Sequence, residues 1–136
     1  MPHFDSIQVE DEATMEHIIT EGDVENYAKI TGDNNPLHMD LEYAGQTKFG
    51  QRVVHGMLVA SFISTVVGTI LPGEGALYLR QEVKFRKPVF IDDIIRVKVK
   101  VTNKVESLKI LEMKTNIINQ HGETVITGKA CVTWAK

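Results

Sequence analysis

At 136 residues, with 43% hydrophobic and 24% charged content and a formal net charge of −3, the chain has the bulk properties of one soluble domain with a single core. No Lys/Arg run stands out, which excludes a general nucleic-acid binder, and the lone Cys131 excludes an internal disulfide and suits a reducing compartment. The longest apolar stretch, Met57–Leu71, is broken by Ser61, Ser64, Thr65, Gly68 and Thr69 and is too short and mixed for a membrane span.

The N-terminal Met-Pro-His-Phe-Asp-Ser has neither a charged n-region nor an apolar h-region, so no secretory signal is read there. A cytoplasmic location is expected, or the mitochondrial matrix if the host is eukaryotic. A strand is expected around Thr14–Ile19. Thr20 then opens Thr-Glu-Gly-Asp, a helix cap with acid in the first turn. Val24, Tyr27, Ala28 and Ile30 give Asp23–Thr31 a helical apolar face, and Gly32 ends it. Asp33–His38 reads as a loop, because Pro36 pushes Asn35 out of the helical region. Leu41–Gly45 fits a short helical turn.

Gly56–Leu71 is the main helix. Its apolar residues run nearly all round, which predicts a helix wrapped by other structure. Pro72-Gly73-Glu74-Gly75 is a turn. Four alternating, Val/Ile/Thr-rich strands follow at Leu77–Arg86, Asp93–Thr102, Leu108–Asn119 and Thr124–Trp134. Breaks are expected at Lys87-Pro88, Asn103-Lys104 and Gln120-His121-Gly122, the last a hairpin tip. Residues 1–136 thus form a single α+β domain, a curved antiparallel sheet around one long central helix.

Chemistry concentrates in two places. Asp33 and His38 stand five residues apart across a turn locked by Pro36, so a carboxylate and an imidazole can face one point. The plain alternative is a solvated turn, since Asp-Asn-Asn-Pro is good turn chemistry. That alternative leaves Leu37 and Met39 unexplained, which anchor the loop on either side of His38. About twenty residues later, Gly56 opens the main helix, whose free N–H groups suit a developing negative charge. Its glycine either starts the helix or lets an atom approach the backbone closely. His55, just before, reads as structural: it can cap, pack or hydrogen-bond. Ser61 and Ser64 lie one turn apart on that helix and bond either to its own carbonyls or into the site. His3, His17 and His121 look terminal, strand-borne and hairpin-borne. No metal-ligand spacing and no phosphate-binding glycine loop is present. An acid/base pair plus an oxyanion donor is the kit for adding or removing water next to a thioester.

Gly32-Asp33-Asn34-Asn35-Pro36-Leu37-His38-Met39-Asp40 resembles the hydratase-2 motif of the MaoC-like (R)-specific enoyl-CoA hydratases and 3-hydroxyacyl-thioester dehydratases. Val54-His55-Gly56-Met57-Leu58 is similar to that family's helix start, and Leu71-Pro72-Gly73 and Phe85…Pro88-Val89 also match. The resemblance covers roughly residues 14–134. It implies a hot-dog fold, a homodimer joined sheet edge to sheet edge, and reversible hydration of trans-2-enoyl thioesters to (R)-3-hydroxyacyl thioesters. By position it implies Asp33 and His38 as the catalytic pair, Gly56 as backbone donor to the thioester oxygen, and Ser64 as a holder of the catalytic water. Asn35 and His55 complete the candidate oxyanion and substrate-binding set. No metal or other cofactor is implied, since the substrate carries its own coenzyme A or acyl carrier protein. Ile91-Asp92-Asp93 departs from the Gly-Asp often found after the Pro-Val strand. Thr47-Lys48-Phe49-Gly50 is similar to the mitochondrial 3-hydroxyacyl-thioester dehydratases, which leaves the carrier open. The rival readings are a hot-dog thioesterase and a non-catalytic acyl-thioester-binding subunit. Met57–Leu71 contains no carboxylate, which counts against the thioesterase.

Overall fold

The computed structural model describes residues 4–135, so His3 lies outside the described residues. After a 3-10 turn at Phe4–Ser6 come β1 (Glu12–Ile18), α1 (Glu21–Thr31), α2 (Pro36–Met39), α3 (Leu41–Gly45) and the central helix α4 (Gly56–Thr69). The chain then runs through β2 (Ala76–Phe85), β3 (Ile94–Val105), a 3-10 turn at Glu106–Leu108, β4 (Ile110–Ile118) and β5 (Thr124–Trp134). All pairings are antiparallel, and the strand order is β1-β3-β4-β5-β2.

Alternation decides which sheet face is the core. Ile95, Val97, Val99 and Val101 on β3, and Leu111, Met113, Thr115 and Ile117 on β4, are all buried at every second position. Leu58, Val59, Ile63, Val66 and Val67 of α4 close over that face. Burying such side chains contributes roughly 1.5–3 kcal/mol each, which is why a 14-residue helix without a side-chain cap stays in place.

Three local expectations need correction. The expected loop at Asp33–His38 contains a helical turn, α2, because Asn35 caps it and Pro36 is pre-set for its first position. The expected break at Asn103-Lys104 is a bulge between Val101 and Asn103, where the Thr102 hydroxyl donates to the Glu112 carbonyl at 3.1 Å. The reversal comes later, at Glu106–Leu108, where Lys109 takes φ 52°. The central helix is not wrapped all round: Met57, Ser61, Ser64, Thr65 and Gly68 are exposed. A single five-stranded sheet covers one side of a helix, and periodicity alone does not say which side stays open.

Candidate active site

Thr20 and Asp23 form a reciprocal capping box at the start of α1, and Gly32 ends the helix in the left-handed region at φ 79°. The chain then reverses into the polar turn. The Asp33 N–H donates to the Thr31 hydroxyl at 3.2 Å, and the Asn35 N–H donates to Asp33 Oδ1 at 3.3 Å. Asn35 Oδ1 accepts the Leu37 N–H at 3.0 Å, while its carbonyl accepts the His38 and Met39 N–H groups at 2.9 and 3.3 Å. Asn35, expected among the substrate-binding residues, has its side-chain oxygen committed to this turn. Its placement sets the angle between Asp33 and His38.

A strap at residues 52–55 holds the turn from behind. The Arg52 Nε–H donates to the His38 carbonyl at 2.7 Å, and its guanidinium meets Glu21 at 2.8 Å. The Val53 N–H donates to the Leu37 carbonyl at 3.2 Å, and the Val53 carbonyl accepts from His38 Nδ1 at 2.6 Å. A carbonyl only accepts, so the proton sits on Nδ1 and Nε2 keeps the lone pair. The His55 Nε2–H likewise donates to the Asp33 carbonyl at 3.0 Å. One side-chain atom from each of Asp33, His38 and His55 lies within 4.8 Å of the others. Asp33 Oδ2 and His38 Nε2 have no partner among the described residues.

Two imidazoles and a carboxylate are metal-binding in kind. In this structure one nitrogen of each ring serves a backbone carbonyl, and the two rings lie tilted at 32° with centroids 4.1 Å apart.

The N–H groups of Gly56 and Met57 have no acceptor among the described residues, as expected at a helix start. Gly56 and His38 line one groove of about 450 Å³, with Phe49, Val59, Phe85 and Ile126 making its apolar wall and Arg86 and Lys87 also on its lining. A Cβ on Gly56 would stand 2.8 Å from Phe85 Cε1. The close approach anticipated from the sequence is therefore made by Phe85.

A MaoC-like domain model matches residues 5–122 of the chain. The (R)-specific enoyl-CoA hydratase of Rhodospirillum rubrum is 40% identical over 130 residues, which is 96% of this chain and 90% of that protein. The chain belongs to the MaoC-like dehydratase family. The 3-hydroxybutyryl-CoA dehydratase of Methylorubrum extorquens is 38% identical across 96% of this chain and 82% of its own. A solved (R)-hydratase from A. caviae, involved in PHA biosynthesis, superposes with a TM-score of 0.92 at 37% identity, covering 95% of this chain and 98% of that one. The sheet and helix described above are accordingly the hot-dog fold of these hydratases.

Within this MaoC-like domain, His38 and Gly56 share one groove, and Asp33 lies beside His38 in the cluster with His55. Ser64 does not join them in the single chain. It is exposed and lines a separate groove of about 370 Å³ with Tyr78 and Gln81. Ser61 takes the plain alternative, its hydroxyl donating to the Leu58 carbonyl at 2.6 Å. His55 is 1% exposed, so it does not touch a substrate from this position. The sequence reading missed Arg52, the Val53 carbonyl and Phe85. A backbone carbonyl leaves no mark in residue identity, and the nearest signal was only that Arg52–His55 directly precedes the glycine.

Proposed function

We propose that the chain works as one MaoC-like hot-dog domain that reversibly hydrates trans-2-enoyl thioesters to (R)-3-hydroxyacyl thioesters. One observation carries the reading: His38, clustered with Asp33 and with its Nδ1 held by the Val53 carbonyl, shares an apolar groove with Gly56 at the start of α4. Asp33 takes a proton from water as its oxygen bonds to carbon 3. The electron pair of the carbon–carbon double bond passes through the thioester as an enolate. Its oxygen receives the Gly56 N–H at the positive end of α4. His38 Nε2 accepts the other O–H of the same water and so orients it, and the proton that Asp33 took is handed to carbon 2, which restores the carboxylate. The two groups work as one unit on one face of the enoyl group, so addition is syn. Adding water to the double bond changes no net oxidation state, and the Gly56 N–H receives the enolate charge, so the reading calls for neither a redox cofactor nor a metal. The carrier is coenzyme A or an acyl carrier protein.

The assembly we propose is a homodimer. Edge strand β2 carries Leu77 and Leu79, which are 51% and 53% exposed, and Met57 on the open side of α4 is 60% exposed. An unpaired edge beside exposed apolar side chains is what a second copy would cover. A cytoplasmic location goes with this reading, as a free, buried Cys131 suits a reducing compartment. Among the described residues no helix is long and apolar enough to cross a membrane.

The deciding experiment supplies crotonyl-CoA and follows the enoyl absorbance band. Loss of the band, with product oxidised by an (R)-specific but not an (S)-specific 3-hydroxyacyl-CoA dehydrogenase, is the expected result. Oxidation by the (S)-specific enzyme would overturn the stereochemistry. Release of free thiol would replace the reading with a thioesterase, and an unchanged substrate with a binding subunit.

A further inference from the structure

His55 is the one histidine in the cluster that the mechanism leaves idle, and it is the most thoroughly enclosed. Its ring lies between Tyr27, at 4.8 Å between centroids, and His38, at 4.1 Å. Its Nε2–H is spent on the Asp33 carbonyl. Its Nδ1 is buried and has no hydrogen-bond partner among the described residues. A side chain chosen for packing alone would not carry a buried, unsatisfied acceptor, because an aromatic hydrocarbon fills the same space without one. The ring is therefore kept for what its other nitrogen and its face do.

Both of those act on the catalytic pair. The nitrogen ties the backbone of Asp33, and the face lies against the ring of His38. Two residues earlier on the same strap, the Val53 carbonyl fixes the His38 tautomer. Asp33 lies in the polar turn and His38 in the one-turn helix α2, with Asn34, Asn35, Pro36 and Leu37 between them. Residues 52–55 grip each of them separately, and the strap leads straight into Gly56, the oxyanion donor.

We propose that His55 is a positioning residue for the hydration reaction: it sets the Asp33 carboxylate against the His38 ring and ties both to the start of α4. This rests on the hydratase reading, which the wild-type assay tests first and independently. If wild-type protein does not hydrate crotonyl-CoA, it is that reading which fails.

The experiment compares His55→Phe and His55→Gln with wild type, each alone and combined with Asp33→Asn. Phenylalanine keeps a ring against Tyr27 and His38 but loses the N–H to Asp33. Glutamine can place an amide N–H near the position of Nε2 without the ring. For His55→Phe, kcat for crotonyl-CoA should fall roughly 10–100-fold with KM within about threefold of wild type, as for an interaction that aligns reacting groups rather than binding substrate. His55→Gln should recover part of that kcat. In the Asp33→Asn background, His55→Phe should change kcat by less than about threefold, because the group it aligns is gone. A folded His55→Phe protein with wild-type kcat would overturn the proposal. Full additivity with Asp33→Asn would also overturn it, since the effect would then run through something other than Asp33. Should His55→Phe not fold, the same cycle with His55→Gln decides on the same additivity criterion.

Discussion

At the residue scale, Asp33 and His38 owe their reach to neighbours that do no chemistry. Asn35 bends the turn, and Val53 and His55 hold its two ends. Asp33→Asn keeps the shape and removes the base we propose, so turnover should fall roughly 10²–10⁴-fold in a folded protein. His38→Ala should fall comparably, and the double variant should lose far less than the product of the two, measured as initial hydration rates. Wild-type-like turnover in folded Asp33→Asn would remove the carboxylate from the mechanism. Gly56 makes a different test. Its N–H survives substitution by alanine, but the new Cβ meets the Phe85 ring, which is 53% exposed and free to move. Gly56→Ala should therefore fold and lose at least about tenfold in kcat, less than the ~10²–10³ expected for deleting an oxyanion donor outright. Adding Phe85→Ala should restore most of the loss if ring displacement causes it. No recovery would mean that the Cβ itself obstructs the substrate.

At the scale of elements, α1 is the lever that places the turn, and its N-terminus is held by Asp23. Burial raises the pKa of this carboxyl. The hydrogen bond from the Thr20 backbone, and the hydrogen bond and charge of His17 at 2.7 Å, outweigh burial and hold the pKa below its ordinary 3.8. A depressed acid stabilises the fold in its charged form. The contribution is complete above about 3.8 and fades as pH falls through the folded value. Asp23→Ala should cost about 1 kcal/mol at pH 7, as for a lost cap, and the difference from wild type should shrink below that pH. Urea melts at pH 7 and pH 3 check both parts. A pH-independent difference would mean that Asp23 acts through packing rather than through its charge. His17, which the sequence reading assigned only to a strand, also stacks on Phe62 of α4 at 4.4 Å, so this pair links α1, β1 and the central helix.

At the scale of the whole molecule, the sheet has two edges and one helix with an open side. Light scattering at micromolar concentration should give twice the 15.2 kDa chain mass, and Leu79→Glu on the β2 edge should shift it toward the monomer. A stable wild-type monomer would refute the dimer. Much of the architecture was legible in residue order. Period-two alternation marked the strands, Thr20 and Gly32 marked the limits of α1, and Pro36 and Gly56 marked the turn and the helix start. These are signals that act within a few residues, so the chain carries them locally. The pairing of Asp33 with His38 was legible for the same reason, since a short turn bounds their separation. What the sequence could not decide was long-range. Asn103 reads as a break, yet β4 supplies partners that carry β3 through it as a bulge. An all-apolar helix does not announce that one sheet covers one side only. Nor does residue identity reveal that a carbonyl at Val53 selects a tautomer 15 residues away, or that a buried His55 reaches back 22 residues to the Asp33 backbone. Those contacts exist because the folded strap brings distant backbone together, and only tertiary structure settles where it lies.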